Sequence, residues 1–401
     1  MKIVHVLGNQ YLPSHPDDEG AAGPARVALE IARAQAESGH TVSVVVADKN
    51  SWKSRWHSVL LMGVPISRWA TVQVRGRVID FQRHLPYVLL THLNTFDIVH
   101  GHVYSYMRFL RARARVVHFH GDPTHRGSKN EGLHLKQADF RNIAQYSQAQ
   151  IAVSEFVARE LRRGFGESGN IHVVSNGVDA THFDSTRWQI AGQKIRQEHN
   201  IPAHAVVFLF AGAIVQEKGV LHLARAFVRL ATTRTDVHLL LAGGSGLWGG
   251  AYANKTDHQE YEQQVGQILR PLAQAGQVHT LGKVVWSAMP GVYAASDVLV
   301  VPSICRESFS LVAAEAQSSS RPVICANYGG VVEIVTDKTG ILLDPSDEHA
   351  LETAMRTLVD HLDVRKQLGN NARQQALRFS WSTAAEKLDS IYQDILHGIH
   401  P

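Results

Sequence analysis

Strand-sized apolar runs, each followed by a stretch of helical periodicity, recur in two series along this chain. That alternation limits the fold more than any other feature. In the first series KIVHVLG reads as a strand, and residues 24–37 repeat apolar positions at helical spacing. This helix is expected to stop at Ser38-Gly39, where glycine suits a left-handed cap. TVSVVVAD, FDIVHGH, RVVHFHGD and QIAVSE follow as strands. The second series opens after residue 200 with the strand AVVFLFAGA and the helix LHLARAFVRLA, and continues through VHLLLAGG, QVHTLG, DVLVVPS, PVICAN and GILLDP. Strands alternating with helices predict parallel sheets covered on both faces. The class is therefore α/β, with two Rossmann-like parallel-sheet domains facing across a cleft.

The length, 401 residues, suits two domains and not one core. Residues 174–190 carry turn signals and little periodicity, so they read as the linker. The expected division is 1–182, 183–376 and a final amphipathic helix in 377–401 that returns toward the first domain. With 44% hydrophobic and 19% charged residues the chain is globular. No apolar run approaches the roughly 18–20 residues of a membrane span. MKIVHVLGNQ reads as a first strand and not as a signal peptide. Two cysteines, Cys305 and Cys325, suit a reducing, cytoplasmic setting. No nucleic-acid-binding motif is present, and nothing in the sequence sets an oligomeric state.

The densest chemical signal is PSICRESFSLVAAEA. After the strand DVLVV comes a loop with Arg306 and Glu307, then a helix expected to start near Ser308. Glu315 lies eight residues beyond Glu307, an offset of ~12 Å along a helix. The amides of Ser308, Phe309 and Ser310 would then sit at a helix N-terminus, which favours an anion such as a diphosphate.

This paired-glutamate motif resembles that of the retaining family 4 glycosyltransferases, the glycosyl transferases group 1, which have the GT-B fold. AGPARVALEIARAQAESGHTVSVVV resembles the family's opening loop and helix, and AVSEFVARELRRGFG with IHVVSNGVDATHF its hinge segment. FAGAIVQEKGVLHLARAF, VHLLLAGG, YAASDVLVVPS and PVICANYGGVVEIV are similar to successive parts of its donor domain. The resemblance implies a hexosyl transfer from a nucleotide sugar with retention of configuration, UDP being the favoured base and GDP-mannose the alternative donor. It implies that Glu307 meets the donor sugar and Glu315 the ribose. The loop Ser308, Phe309, Ser310 and Leu311 would face the diphosphate or sugar, with Ser310 standing where the family usually has glycine.

The same resemblance aligns Lys218 with a diphosphate-clamping lysine. Ala213 stands where an arginine is usual, and Arg306 is the candidate replacement by proximity to Glu307. Gly282, Lys283 and Val284 would border the base. Gly23, beside Ala22 and Pro24, would approach a phosphate or the acceptor. His120, at the end of the strand VVHFH, would lie near the reacting sugar. The implied mechanism is front-face attack, with the leaving phosphate accepting the acceptor's proton. Lys218 and helix amides would stabilise the charge that develops there. No metal or other cofactor is expected, since no DxD-like motif occurs.

Other readings are weaker. His100, His102, His118, His120 and His125 could be imagined as a metal cluster, but 24 scattered histidines make chance pairs common. A dinucleotide-dependent oxidoreductase would need GxGxxG after the first strand, where VLGNQYLP has one glycine. A nucleotide-sugar epimerase, or an inactive sugar-nucleotide-binding protein, would share the architecture. The acceptor is the least defined element: a saccharide, a small molecule or a lipid-linked species. Residues 1–180 hold 21 Lys/Arg and 15 Asp/Glu, a net +6, against a net −2 beyond. That asymmetry suits an anionic acceptor or peripheral contact with the inner face of the membrane. Arg108, Arg111, Arg113 and Arg115, with Lys53 and Arg55 between Trp52 and Trp56, are the residues such contact would use. A soluble acceptor is favoured over it.

Overall fold

β-Branched and apolar runs form strands wherever the alternation places them, and each sheet is closed over by the helices between. The computed structural model describes residues 1–8, 12–19, 23–65, 71–74, 77–80, 85–104, 107–123, 135–247 and 255–398. Among these the chain divides into two compact units. One comprises residues up to 177 together with those from 381 onward, and the other comprises Val178–Ser380.

The first unit contains β1 (Lys2–Val6), β2 (Thr41–Asp48), β3 (Trp52–Trp56), β4 (Val59–Pro65), β5 (Thr71–Val74), β6 (Arg77–Asp80), β7 (Ile98–Gly101), β8 (Ala114–Phe119), β9 (Ala149–Ala152) and β10 (Ile171–Val173). Eight of these form one sheet in the order β10-β9-β8-β7-β1-β2-β4-β3, and β5 pairs with β6 apart from it. Within the eight-stranded sheet pairing is parallel except at β3–β4, an antiparallel edge hairpin absent from the strand pattern read in the sequence, and the separate β5–β6 pair is antiparallel too. The helix Gly23–Glu37 covers this sheet and ends before Gly39, whose φ of +90° supplies the expected left-handed turn. The final helix, Trp381–Leu396, packs on that helix and belongs to the first unit.

The hairpin separates residues that the sequence seemed to interleave. Successive strand side chains point to opposite faces, so Trp52 and Trp56 share one face of β3 while Lys53 and Arg55 lie exposed on the other. Trp56 is buried and donates its indole N–H to Asp17 Oδ2 at 2.9 Å. The two tryptophans and the two cations therefore do not form one surface. No helix among the described residues is long and apolar enough to cross a membrane.

The second unit contains β11 (Val206–Gly212), β12 (Val237–Gly243), β13 (Val278–Gly282), β14 (Val298–Val301), β15 (Val323–Ala326) and β16 (Gly340–Leu343). They make a fully parallel sheet in the order β13-β12-β11-β14-β15-β16. Phe208, Leu239 and Val298 from the strands meet Phe227 and Leu358 from covering helices in a continuous core. In both sheets the strand order reverses once, between β11 and β14 here and between β1 and β7 in the first unit. Open α/β sheets bind ligands beyond the carboxyl ends of their strands at such reversals.

Candidate functional site

The loops after β11 and β14 meet at the second unit's reversal point. Lys218 ends the short helical turn Gln216–Lys218 after β11, and Glu307 lies in the loop after β14. Ile304 and Cys305 donate their amides to Glu217 O at 3.0 and 3.2 Å, which stitches the two loops together. Gly219 lets them close. Its φ is +64°, and a Cβ there would lie 1.9 Å from Pro302 O.

Within this closure Lys218 Nζ donates to Glu307 Oε1 at 2.6 Å, and Ser303 Oγ donates to the same oxygen at 2.6 Å. Burial alone would raise the Glu307 carboxyl. The Lys218 charge and the Lys218 and Ser303 hydrogen bonds outweigh it and hold the group below its ordinary value. For Lys218 the order is the same: burial pulls the ammonium down, and Glu307 above all brings it up past its ordinary value. Both members of the pair are thus charged near neutral pH. Burial first, and then Glu307, push the Cys305 thiol up to about 12, so it is not a thiolate nucleophile.

The segment Gly329-Gly330 supports Glu307 from behind. Gly330 donates its amide to Glu307 O at 2.6 Å. A Cβ on Gly329, whose φ is +81°, would lie 2.9 Å from the same oxygen and 3.1 Å from Glu307 N. The single turn Gly330–Glu333 follows, and its work is to seat Glu307.

The helix after Glu307 begins later than its sequence suggested. It spans Leu311–Ser318, with Ser310 as its cap in left-handed geometry at φ +81° and ψ +81°. The amides freed by the helix start are accordingly those from Leu311 onward, and not those of Ser308 and Phe309. The ~12 Å offset estimated for a continuous helix from Glu307 to Glu315 does not apply either. Ser310 is buried, and its Oγ has no hydrogen-bond partner among the described residues. The Phe309 ring is core, packed edge-on against Phe379, so only its backbone is available to a ligand. Glu315 Oε2 accepts a hydrogen bond at 2.8 Å from the fully buried Tyr293 hydroxyl. Sequence reasoning passed over Tyr293, because no spacing along the chain relates it to Glu315.

Other expected residues are placed less closely. Arg306 is exposed beside Glu307, while Ala213 is buried. Gly282 ends β13 with φ +65°, Lys283 after it is exposed, and Val284 is half-buried. In the first unit Gly23 opens its helix, and a Cβ there would meet nothing within 4 Å among the described residues. Ala22 and His125 lie outside the described residues.

The histidines are not a chance scatter. His5 of β1 pairs in register with His100 of β7, and i, i+2 spacing puts His102 beside His100 and His120 beside His118 on the same face. His118 and His120 stack with ring centroids 4.5 Å apart, and His102 and His120 at 5.0 Å. Burial drives every ring toward its neutral form: His5 falls to about 4 and His120 to about 3, and His100, His102 and His118 fall well below the usual value. Two overlapping trios, His5-His100-His102 and His102-His118-His120, bring their ring nitrogens within 4.8 Å of one another. Spacing along the chain groups the histidines in and just after β7 and β8 but does not point to His5, which joins them only through the β1–β7 pairing.

Two family profiles match the chain: glycosyl transferases group 1 over residues 192–375, and glycosyltransferase family 4 over residues 21–182. The chain belongs to the group 1 glycosyltransferases. Among curated relatives, a D-inositol 3-phosphate glycosyltransferase of Corynebacterium kroppenstedtii is 35% identical over 57% of this chain and 49% of its own length. One from Corynebacterium glutamicum is 28% identical over 75% of this chain and 73% of its own. The chain thus spans about half the length of the first of these relatives. Sucrose-phosphate synthase from Thermosynechococcus elongatus superposes with a TM-score of 0.77 at 18% identity, covering 99% of this chain and all of that one. Anabaena HepE in complex with UDP-glucose does so at 0.74 and 19% identity, covering 98% of this group 1 chain and 100% of its own. These likenesses establish the fold as GT-B, two parallel-sheet α/β domains.

Proposed function

We propose that this chain transfers a hexosyl unit, with retention of configuration, from a nucleotide sugar to a small phosphorylated acceptor. The observation that carries the reading is the Lys218–Glu307 pair at 2.6 Å, at the point where the second sheet's strand order reverses. A carboxylate there can take sugar hydroxyls, and the adjacent ammonium is positioned for the charge that develops on a leaving diphosphate. Glu315, steadied by Tyr293, takes the ribose. The N-terminus of Leu311–Ser318 adds backbone donors for phosphate. Arg306 is assigned the second cation in place of Ala213, and an Arg306→Ala variant with unchanged donor affinity would remove it from the site.

UDP is the favoured base and GDP the alternative. A small phosphorylated polyol as acceptor is supported by the relatives named as D-inositol 3-phosphate glycosyltransferases and by the net +6 over residues 1–180. His120 and Gly23 are the acceptor-side residues of the first unit. Nucleotide release from UDP-glucose, UDP-N-acetylglucosamine and GDP-mannose, with and without inositol phosphate, tests the whole reading. Release that requires the acceptor supports transfer. Donor isomerisation without acceptor indicates an epimerase, and tight donor binding with no release an inactive binder.

A further inference from the structure

We infer that Asp389, acting through Gln35, fixes the tautomer of His120 along a thread of buried histidines, leaving the proton on Nε2 and a bare lone pair on Nδ1. The inference deepens the assignment of His120 to the reacting site. It rests on that assignment for its catalytic consequence alone.

The thread starts from a group that can only accept. The Asp389 carboxylate has no proton to give, so the Gln35 atom facing its Oδ1 at 3.3 Å is the amide nitrogen. That orientation turns Gln35 Oε1 toward His5 Nε2 at 2.9 Å. An amide oxygen also only accepts, so His5 carries its proton on Nε2. A neutral imidazole has one N–H, and His5 Nδ1 must then accept from His102 Nε2 at 3.0 Å. His102 Nδ1 in turn accepts from His120 Nε2 at 2.7 Å. The last nitrogen, His120 Nδ1, is left as an acceptor, and it is buried with no partner among the described residues.

Reversing the thread would require Gln35 to flip and set its oxygen against the Asp389 carboxylate. Two acceptors would then face each other at hydrogen-bond distance. The direction is therefore imposed from the Asp389 end. Burial keeps the rings neutral, which is the condition for one proton per ring. A second branch runs alongside, from the Tyr392 hydroxyl to His100 Nδ1 and from His100 Nε2 to His118 Nδ1 at 3.0 Å. Its rings stack on the first and close it from water. The ring nitrogens that face one another in the two branches already share protons, and no carboxylate stands among them. The hydrogen bonds within the cluster order its protons along both branches.

The consequence is a positioned acceptor at the strand end. Nδ1 is covered in this structure, so a substrate hydroxyl reaches it only where that cover gives way; there a bare Nδ1 accepts a hydrogen bond, and the opposite tautomer would present an N–H and repel that donor. Asp389, Gln35, His5 and His102 are positioning residues and touch no substrate.

Long-range proton–nitrogen correlation spectra of histidine-labelled protein test this directly, with His120 signals assigned by their loss in His120→Gln. The expected result is a protonated Nε2 and an unprotonated Nδ1 for His120, His102 and His5. A proton on His120 Nδ1, or averaging between both nitrogens, overturns the inference, and this measurement needs no core variant. Gln35→Met removes the acceptor for His5 while retaining its bulk. It is expected to give His120 both tautomers and to lower kcat about tenfold with KM for the donor unchanged. A single Nε2 proton on His120 in that variant overturns the role of Gln35. Mixed tautomers with full turnover would leave the thread standing and remove His120 from the chemistry.

Discussion

Lys218 and Glu307, 89 residues apart in the chain, meet as an ion pair at 2.6 Å. Each comes from the loop that follows one of two adjacent strands, β11 and β14. Taking both charges out of water is costly, and a largely buried pair is weak support for stability. Its position at the strand-order reversal suits the use proposed for it: an anion and a cation fixed side by side, one for a sugar and one for its diphosphate.

Glu307→Ala is expected to lower turnover by two to three decades, the loss of ~3–4 kcal/mol of transition-state hydrogen bonding. Free nucleotide affinity should change little, because the carboxylate is assigned to the sugar. Steady-state rates beside calorimetric UDP titration make the check, and near wild-type turnover would overturn the assignment.

Glu315→Ala should behave differently, weakening UDP and intact donor together. Tyr293→Phe is expected to show a milder form of the same defect. It removes the 2.8 Å hydrogen bond to Glu315, worth about 0.5–1.5 kcal/mol, or roughly a two- to tenfold change in affinity. Equal UDP affinity in wild type and Glu315→Ala would exclude the ribose role.

Ser310→Gly is expected to stabilise the second unit by about 1 kcal/mol. A serine held at φ +81° is strained, and its buried hydroxyl has no partner among the described residues. Glycine relieves both and leaves the backbone donors in place, so UDP affinity should be retained. Denaturant midpoints for wild type, Ser310→Gly and Ser310→Ala separate the backbone strain from the unpaired hydroxyl. A Ser310→Gly variant less stable than wild type would refute the strain argument.

Acid should weaken the first unit before it affects the second unit's ion pair. His5 titrates at about 4 in the fold against 6.5 when unfolded. Above pH 6.5 both states are neutral and the stability is fully present. Between about 6.5 and 4 the unfolded chain binds the proton and the fold does not, so stability falls as pH falls. For His5 alone the loss by pH 4 is on the order of 3 kcal/mol, and His120, which titrates at about 3, adds to it in the same direction. Thermal unfolding from pH 7.5 to 5 should show a falling midpoint for this unit. A flat profile would mean that the histidines are not held neutral.

Much of this protein is legible along the chain. Alternating apolar runs and helical periods give two parallel sheets because such patterns can bury a sheet only on both faces. β2, Thr41–Asp48, is the run TVSVVVAD itself. The spacing of Glu307 and Glu315, and the i, i+2 histidine pairs, are likewise local facts. What the chain order does not carry is which strands become neighbours. β11 lies against β14 although β12 and β13 intervene in sequence, and β1 lies against β7 across β2 to β6. Lys218 meets Glu307, Tyr293 reaches Glu315, Gly329 seats the Glu307 backbone, and His5 joins four other histidines only because the tertiary structure set those neighbours. The physical reason is that periodicity encodes which face of a strand is buried, while strand order is decided by how whole crossover units pack.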